Sequence, residues 1–225
     1  VTNCTFSGNT AVNFGGGLVN ASSSSSTIVN CLFSGNKATS FSGGGLYNSD
    51  SNPTLTNCTF SGNSAATDGG AMFNYASSTA NFKNVTFFGN TANRGGAIYN
   101  YPGNTVSLTN SILWGNTPNQ IQGDPVNATY NDIQGGYAGT GNISLNPLLG
   151  ALANNGGYTQ THSLLAGSPA IDTGNTPICP TSDQRGMPRP IDSDDDGIAE
   201  CDLGAYEYQA QQPRPFKLYL PSVVK

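Results

Sequence analysis

The sequence predicts an all-β protein, a right-handed parallel β-helix (a solenoid) of about 27-residue coils with an irregular C-terminal cap. The first observation is a repeat: residues 1–9, 29–36, 56–63, 83–90 and 109–116 are copies of one unit. Each copy ends in Asn, and the steps between these asparagines are 27, 27, 27 and 26 residues. Short strands and turns repeated at a constant period are typical of a solenoid.

The second observation is the order of apolar residues within each unit. They form short β-type pieces separated by Gly, Asn and Ser, and they do not keep the 3.6-residue period of a helix. Coils stacked about 4.8 Å apart place equivalent residues in columns. Three apolar columns follow, which indicate three parallel sheets around one core: Phe6, Phe33, Phe60, Phe87 and Leu113; Ile28, Leu55, Phe82 and Leu108; Leu18, Leu46, Met72 and Ile98. Parallel connections are almost always right-handed, so we expect a right-handed coil.

Two sets of repeated asparagines have structural interpretations. One precedes the Cys or Val position of each unit, where the chain bends between sheets, and Asn tolerates the left-handed conformation that such a bend requires. The other ends each unit and is expected to stack as an amide ladder. A row of ligand-binding amides on the surface is the functional alternative.

The five cysteines fall into two groups. Cys4, Cys31 and Cys58 share one repeat position that Val85 takes in the next coil, so we interpret them as stacked, buried, free thiols. Cys179 and Cys201 lie outside the repeats, and we predict a disulfide between them. A disulfide fits an oxidising, extracellular setting.

Charge excludes several functions. The net charge is −5, which leaves no basic surface for nucleic acid, and no apolar run is long enough to span a bilayer. Residues 1–110 contain five charged side chains, among which Asp50 and Asp68 form a poor carboxylate pair for glycoside hydrolysis. His162, the single histidine, is interpreted as a structural hydrogen-bonding residue, because a general base needs a nucleophile and an orienting partner.

The acidic run Asp192-Ser-Asp194-Asp-Asp196-Gly197 resembles a calcium loop, with carboxylates at alternate positions before a glycine. Asp192, Asp194 and Asp196 are the predicted calcium ligands, and Glu200 or Asp202 could complete the shell. The twelfth position is Leu203, so the loop is not a full EF-hand. A solvated acidic loop is the alternative.

Aromatic residues give a candidate ligand-binding row. Tyr47, Phe73 and Tyr99 share one repeat column, and Tyr75 and Tyr101 follow it. A ladder that includes Tyr47, Tyr99 and Tyr101 could bind sugar rings along the axis. Core packing is the commoner use of stacked aromatics and is the alternative.

Two resemblances add to this pattern. The pairing of Phe60-Ser-Gly-Asn63 with Gly95-Gly-Ala-Ile-Tyr-Asn100 resembles the polymorphic outer-membrane-protein repeat, over residues 1–116. The segments 152–172, 183–190 and 201–207 resemble the choice-of-anchor region that ends many secreted bacterial β-helix proteins. The tail, 216–225, is similar to C-terminal segments of exported proteins of Chloroflexota-type bacteria. These resemblances imply export, a cell-surface location and β-helical architecture, and they imply no reaction.

We therefore expect β-helix repeats over 1–130, a cap or anchor-type region over 131–208 and a tail over 209–225. The expected function is an extracellular or cell-surface structural or adhesive module without catalytic activity. The alternatives are a carbohydrate-binding module and a polysaccharide lyase or hydrolase of the pectin-lyase-like class. Expected partners are glycans or surface proteins, and end-to-end self-association is possible at the N-terminal coil, for which the sequence shows no cap.

Overall fold

The computed structural model describes residues 1–193 and 196–210, and the chain winds there into stacked parallel β-coils. The first sheet carries the Phe-Ser-Gly-Asn units. Its six parallel strands are Thr5–Ser7, Leu32–Ser34, Thr59–Ser61, Thr86–Phe88, Ile112–Trp114 and Asp132–Ile133.

Two further parallel sheets complete the three sides of the core. The second sheet contains Leu18–Ala21, Leu46–Ser49, Met72–Tyr75, Ile98–Asn100 and Ile121–Gly123. The third contains Thr27–Val29, Thr54–Thr56, Thr79–Lys83, Thr105–Thr109 and Asn127–Thr129. A short fourth sheet of two-residue strands lies between the first two: Thr10–Ala11, Lys37–Ala38 and Ser64–Ala65.

The predicted apolar columns are present, and they confirm the repeat register. Phe6 pairs with Phe33, Phe33 with Phe60 and Phe60 with Phe87 across the first sheet. The rings stack with centroids 4.7, 4.5 and 5.0 Å apart, so aromatic stacking follows the coil spacing along the axis. All three columns belong to one continuous buried cluster.

The bends between the third and first sheets depend on left-handed asparagines, as the sequence predicts. Their φ angles lie between 50° and 55° at Asn3, Asn30, Asn57, Asn84 and Asn110. The paired glycines before the second sheet have two causes: Gly69 is left-handed, with a φ of 64°, and a Cβ atom on Gly70 would clash with the carbonyl oxygen of Gly96. Repeated Asn and Gly therefore mark the positions that other residues fit badly.

Two amide ladders run parallel to the axis. In the predicted ladder, the side-chain amide of Asn36 donates to Asn63 Oδ1 (2.9 Å), and Asn63 donates likewise to Asn90. The second ladder was not predicted from the sequence: Asn20 donates to Asn48 and Asn48 to Asn74, each at 2.8 Å. Apart from Asn9 at the exposed end of the first ladder, the asparagines of both ladders are buried, so neither ladder presents a row of amides for a ligand.

The end of the β-helix is closed by residues 131–145. The Tyr137 hydroxyl accepts the backbone N–H of Val126 (2.9 Å), and its ring packs against the main core cluster. Ile143 forms a parallel bridge with Asp132, which extends the pairing beyond the last strand.

The C-terminal region (residues 146–193 and 196–210) lies against the outer face of the first sheet, which differs from the expected placement over the open end. It contains one antiparallel strand pair, Leu149–Ala153 with Thr161–Leu164, and a short 3₁₀ helix, Thr176–Ile178. Thr59 donates to Gln184 Oε1 (2.7 Å), Thr86 accepts the N–H of Ala205 (3.0 Å), and Ile112 packs with Leu164, Ala170 and Leu203.

The bend asparagines hold this region in place. The Asn57 amide donates to the carbonyl of Ser182 (2.7 Å), and Asn84 donates to that of Asp202 (3.1 Å). Asn110 exchanges two hydrogen bonds with the backbone of Asn175. At Asn30 the backbone carbonyl accepts the Thr159 hydroxyl. Four successive coils are thus contacted at equivalent positions. Within the described part of the chain, no helix is both long and apolar enough to cross a membrane.

Candidate binding surface and the C-terminal region

An aromatic surface covers the outer face of the second sheet. It is formed by Phe14, Phe41, Tyr47, Phe73, Tyr75, Tyr99 and Tyr101, and we refer to these residues as the aromatic surface. Outward side chains in equivalent strand positions place Tyr47 beside Phe73 (ring centroids 5.5 Å apart) and Phe73 beside Tyr99 (5.6 Å). The period of the coil thus brings together rings that lie 26 residues apart in the chain.

Exposure differs along this surface. Phe14, Phe41, Tyr75 and Tyr101 are exposed, with Tyr101 at 43%, and Tyr47 is half-buried. Phe73 and Tyr99 are buried, and Tyr99 is only 7% exposed because the Arg94 guanidinium lies 4.8 Å from its ring centroid. The structure therefore places Tyr99 beneath the face on which the sequence predicts it as a ligand contact. Tyr75 is the exposed neighbour of Tyr101, with ring centroids 4.9 Å apart.

A paired charge borders the aromatic surface. Arg94 Nε and Nη2 donate to the two carboxylate oxygens of Asp68 at 2.6 and 3.0 Å. This fork-like geometry fixes the guanidinium plane while half of the Arg94 side chain stays exposed. Its positive charge is compensated, so this edge offers hydrogen-bonding groups with little net charge.

The predicted calcium ligands occupy different environments. Asp192 Oδ2 accepts the N–H of Gly197 (3.0 Å), and Asp196 Oδ1 accepts that of Ile198 (2.8 Å). Glu200 is exposed, whereas Asp202 is buried and its two oxygens accept the N–H groups of Asp172 and Tyr208. Asp194 lies outside the described residues. Among the residues that are described, no three His, Cys, Asp or Glu side chains form a group able to hold a metal, and calcium stays a prediction.

A network of buried charges, which was not predicted from the sequence, holds the C-terminal region together. Arg189 Nε donates to Glu207 Oε2 (2.6 Å), and both side chains are fully buried. A second buried pair joins Arg185 to Asp183 (2.7 Å), and the Arg185 guanidinium lies 3.6 Å from the Tyr206 ring centroid. The segments that resemble the choice-of-anchor region contain all five of these residues. The acidic and basic residues of these segments were the sequence feature that could have indicated buried ion pairs.

Asp202 completes this network. Its N–H donates to Glu207 Oε2 (3.1 Å), which brings two acidic residues together inside the protein. Burial raises the pKa of Asp202 to about 8, and the neighbouring Glu207 carboxylate adds to this effect. Burial also raises the pKa of Glu207, although Arg189 opposes that shift.

The predicted disulfide and the three free thiols are confirmed, although Cys4 in the first coil is only partly buried. Cys179 and Cys201 form a disulfide, while Cys4, Cys31 and Cys58 are free. Cys31 and Cys58 are buried in the core, where their thiols donate to the carbonyl groups of Val29 and Thr56. These thiols are therefore packed, hydrogen-bonded core groups.

His162 contacts the β-helix across a long sequence separation. Its Nε2 lies 2.9 Å from Ser61 Oγ, its Nδ1 lies 2.8 Å from the carbonyl oxygen of Gly150, and its ring packs on Phe88 with centroids 4.7 Å apart. The side chain is 3% exposed, and burial lowers its pKa. The structural role that the sequence suggests is present, together with the two partners that a general base needs.

The fold and these contacts define the class of protein as a parallel β-helix with a C-terminal region docked along one side. Residues 1–136 match the family described as "right handed beta helix region", and the chain belongs to this family. No curated protein and no solved structure matches the chain. A β-helix scaffold carries many unrelated functions, so function must be argued from the sites.

Proposed function

We propose that this protein is an extracellular or cell-surface binding module that adheres to its partner through the aromatic surface. The observation that carries this proposal is the run of exposed rings from Phe14 and Phe41 to Tyr75 and Tyr101 on one face of a charge-poor solenoid. Contiguous exposed apolar patches on soluble domains commonly mark interaction sites. Stacked coils keep such a surface rigid, so little conformational entropy is lost on binding.

Carbohydrate is the partner that we favour. Exposed tyrosine rings present flat apolar faces, against which the C–H faces of sugar rings can pack, and a hydroxyl that can hydrogen-bond. The Arg94–Asp68 pair adds donors and acceptors at the edge without a net charge. These features suit a neutral glycan better than an acidic one. A protein partner is the competing occupant, because tyrosine is also enriched in protein interfaces.

A polysaccharide lyase or hydrolase is the less favoured function. Glycoside hydrolysis uses two carboxyl groups, commonly about 5–10 Å apart. Asp68 is engaged by Arg94, and Asp50 stands at a different point of its coil beside Ser23. The Cys179–Cys201 disulfide is compatible with the extracellular location that we propose, because disulfides persist in oxidising environments.

The test is a glycan array that includes neutral and acidic polysaccharides, followed by titration of any hit. We expect Tyr75→Ala combined with Tyr101→Ala to weaken binding at least tenfold, because two exposed rings are lost. Tyr158→Ala is the matched control, since Tyr158 is 79% exposed but lies in the C-terminal region. Binding that is equally strong in the double variant would refute the assignment of this surface. Binding to immobilised proteins but to no glycan would show that the partner is a protein.

A further inference from the structure

Ser61 and His162 form a hydrogen-bonded pair at the junction between the β-helix and the C-terminal region. Ser61 ends the strand Thr59–Ser61 with its side chain on the outer face of the first sheet. His162 lies in the strand Thr161–Leu164 of the C-terminal region. The 2.9 Å contact between Ser61 Oγ and His162 Nε2 joins residues 101 positions apart, so no local sequence motif predicts it.

The second nitrogen of the imidazole fixes which atom carries the proton. Gly150 contributes a carbonyl oxygen 2.8 Å from His162 Nδ1, and a carbonyl oxygen only accepts hydrogen bonds. Nδ1 therefore donates, and Nε2 of the neutral ring accepts the Ser61 hydroxyl proton. A serine, a histidine that accepts its proton and a group that orients the histidine are the parts of an activated nucleophile. Burial lowers the pKa of His162, which keeps the ring neutral near pH 7.

An apolar cleft of about 460 Å³ shares the Phe88 side chain with this pair. Phe88, Trp114, Leu148, Leu149 and Leu165 supply its apolar walls. Phe88 and Trp114 follow Ser61 in the same outward column, one and two coils further on. Phe88 also packs on the His162 ring, so one side chain belongs to both the pair and the cleft.

We propose that Ser61 and His162 cleave carboxylic esters whose acyl group is apolar and occupies this cleft. Ser61 Oγ attacks the ester carbonyl carbon while its proton passes to His162 Nε2. The C–O bond to the alcohol then breaks, and the alcohol leaves with that proton. A water molecule, deprotonated by the same nitrogen, hydrolyses the acyl-serine and releases the carboxylic acid.

This proposal concerns a different surface from the aromatic one, and it tests the sequence-based expectation that the chain has no catalytic activity. Trp114 and Asn146, which also line the cleft, carry side-chain N–H groups that can donate to a substrate oxygen. The reaction needs no oxidant, metal or second substrate besides water.

Ser34 provides a matched control. It occupies the position equivalent to Ser61 one coil earlier, pairs with it across the sheet, and hydrogen-bonds to Ser7 Oγ (2.9 Å) instead of a histidine. A serine that is reactive through exposure alone would be modified at Ser34 as readily as at Ser61. Selective modification of Ser61 requires the histidine.

The experiment treats the full chain with an alkyl fluorophosphonate and locates the adduct by peptide mass spectrometry, in parallel with p-nitrophenyl butyrate hydrolysis. We expect labelling at Ser61 and not Ser34. Hydrolysis should fall at least 100-fold in Ser61→Ala and in His162→Gln, in line with the loss of a nucleophile or a general base, and Ser34→Ala should keep the original rate. No adduct on Ser61 in the folded wild-type protein would overturn the proposal without reference to any variant. Hydrolysis that persists in Ser61→Ala would overturn it equally.

Discussion

The β-helix and the C-terminal region of this molecule bury polar groups in different ways. In the coils the buried polar groups are mostly neutral, and amides such as Asn36 and Asn63 bond to copies of themselves one coil away. In the C-terminal region two buried ion pairs each occur once: Arg189–Glu207 joins two segments, and Arg185–Asp183 lies within one. A repeated contact tolerates the loss of one copy better than a unique contact does. Buried ion pairs also leave a bare charge when one partner is removed, which amides do not.

The largest expected effect is at the buried ion pair of the C-terminal region. Arg189→Ala leaves Glu207 buried without its cation and next to Asp202, which should cost about 3–5 kcal/mol. Trp114, the single tryptophan, packs at the edge of the cluster that joins the two regions, so its fluorescence reports their separation during urea unfolding. Arg94→Ala is the control, because the Arg94 side chain is 53% exposed and solvent screening should limit the contribution of this pair to about 1 kcal/mol. Equal losses of stability in the two variants would contradict the conclusion that buried ion pairs matter more in the C-terminal region than charge pairs do in the β-helix.

The disulfide is the second test of the C-terminal region. It joins residues 22 positions apart, and closing a loop of this size restricts the unfolded chain by about 3 kcal/mol. We expect Cys179→Ser with Cys201→Ser to lower the stability of this region by that order, measured through Trp114 fluorescence. Cys58→Val, which introduces the residue type that Val85 supplies in the next coil, should change stability much less. A comparable loss in Cys58→Val would show that the free thiols contribute more than packing.

Calcium titration tests whether the acidic run is a metal site. If Asp192, Asp194 and Asp196 bind the ion, isothermal titration will show saturable heat, and calcium at about 100 times its Kd will stabilise the protein by about 2.7 kcal/mol. Chelator should reverse the rise in Tm. Asp192→Asn should abolish the effect, whereas Asp50→Asn in the β-helix should preserve it. An unchanged Tm together with no heat would leave the acidic run as a solvated loop.

A pH dependence is expected at the end of the β-helix. Burial raises the pKa of Asp132 from 3.8 to about 6, so the folded protein holds a proton that the unfolded chain releases. This contribution is complete below about pH 4 and is lost as pH rises through about 6, a change on the order of 2–3 kcal/mol. Asp132→Asn should remove this part of the slope in urea melts at pH 4 to 7. If the slope is unchanged in the variant, the pH dependence arises instead from the buried carboxyl groups of the C-terminal region, Asp202 and Glu207.

The smallest expected effect lies at the exposed end of the amide ladder, where the Asn9 side chain makes one hydrogen bond, to Asn36 Oδ1. Asn63→Ala removes bonds to Asn36, Asn90 and the Phe33 carbonyl, and each buried group left unpaired costs about 1–3 kcal/mol. Asn9→Ala, at the exposed end of the same ladder, should cost less. Urea denaturation of the two variants compares their losses in the free energy of unfolding, and so tests whether an inner position of the ladder contributes more than its end. A larger loss at Asn9 would contradict that interpretation.

The sequence was sufficient to predict the β-helix because its period sets the register. Once equivalent residues are aligned, Phe33 must stack on Phe60, and the left-handed bends fall on asparagines. The C-terminal contacts lack this support. The pairing of Ser61 with His162 and that of Asn57 with Arg189 join residues more than 100 positions apart, and each occurs once. The exposure of the tyrosines also depended on unique neighbours, since Arg94 covers Tyr99 while Tyr101 lies open.

The docking of the C-terminal region on Asn30, Asn57, Asn84 and Asn110 restricts how the gene can change in length. Duplication or deletion of one complete coil would preserve both amide ladders and all three apolar columns, because each coil offers the same groups to its neighbours. Within the span from Asn30 to Asn110, however, the same event would shift the docking asparagines on one side of it by one coil relative to those on the other side, while the C-terminal region keeps a fixed length. Insertions and deletions of about 27 residues are therefore expected to be tolerated only outside that span, so that the count of covered coils stays at four among homologues that share this C-terminal region.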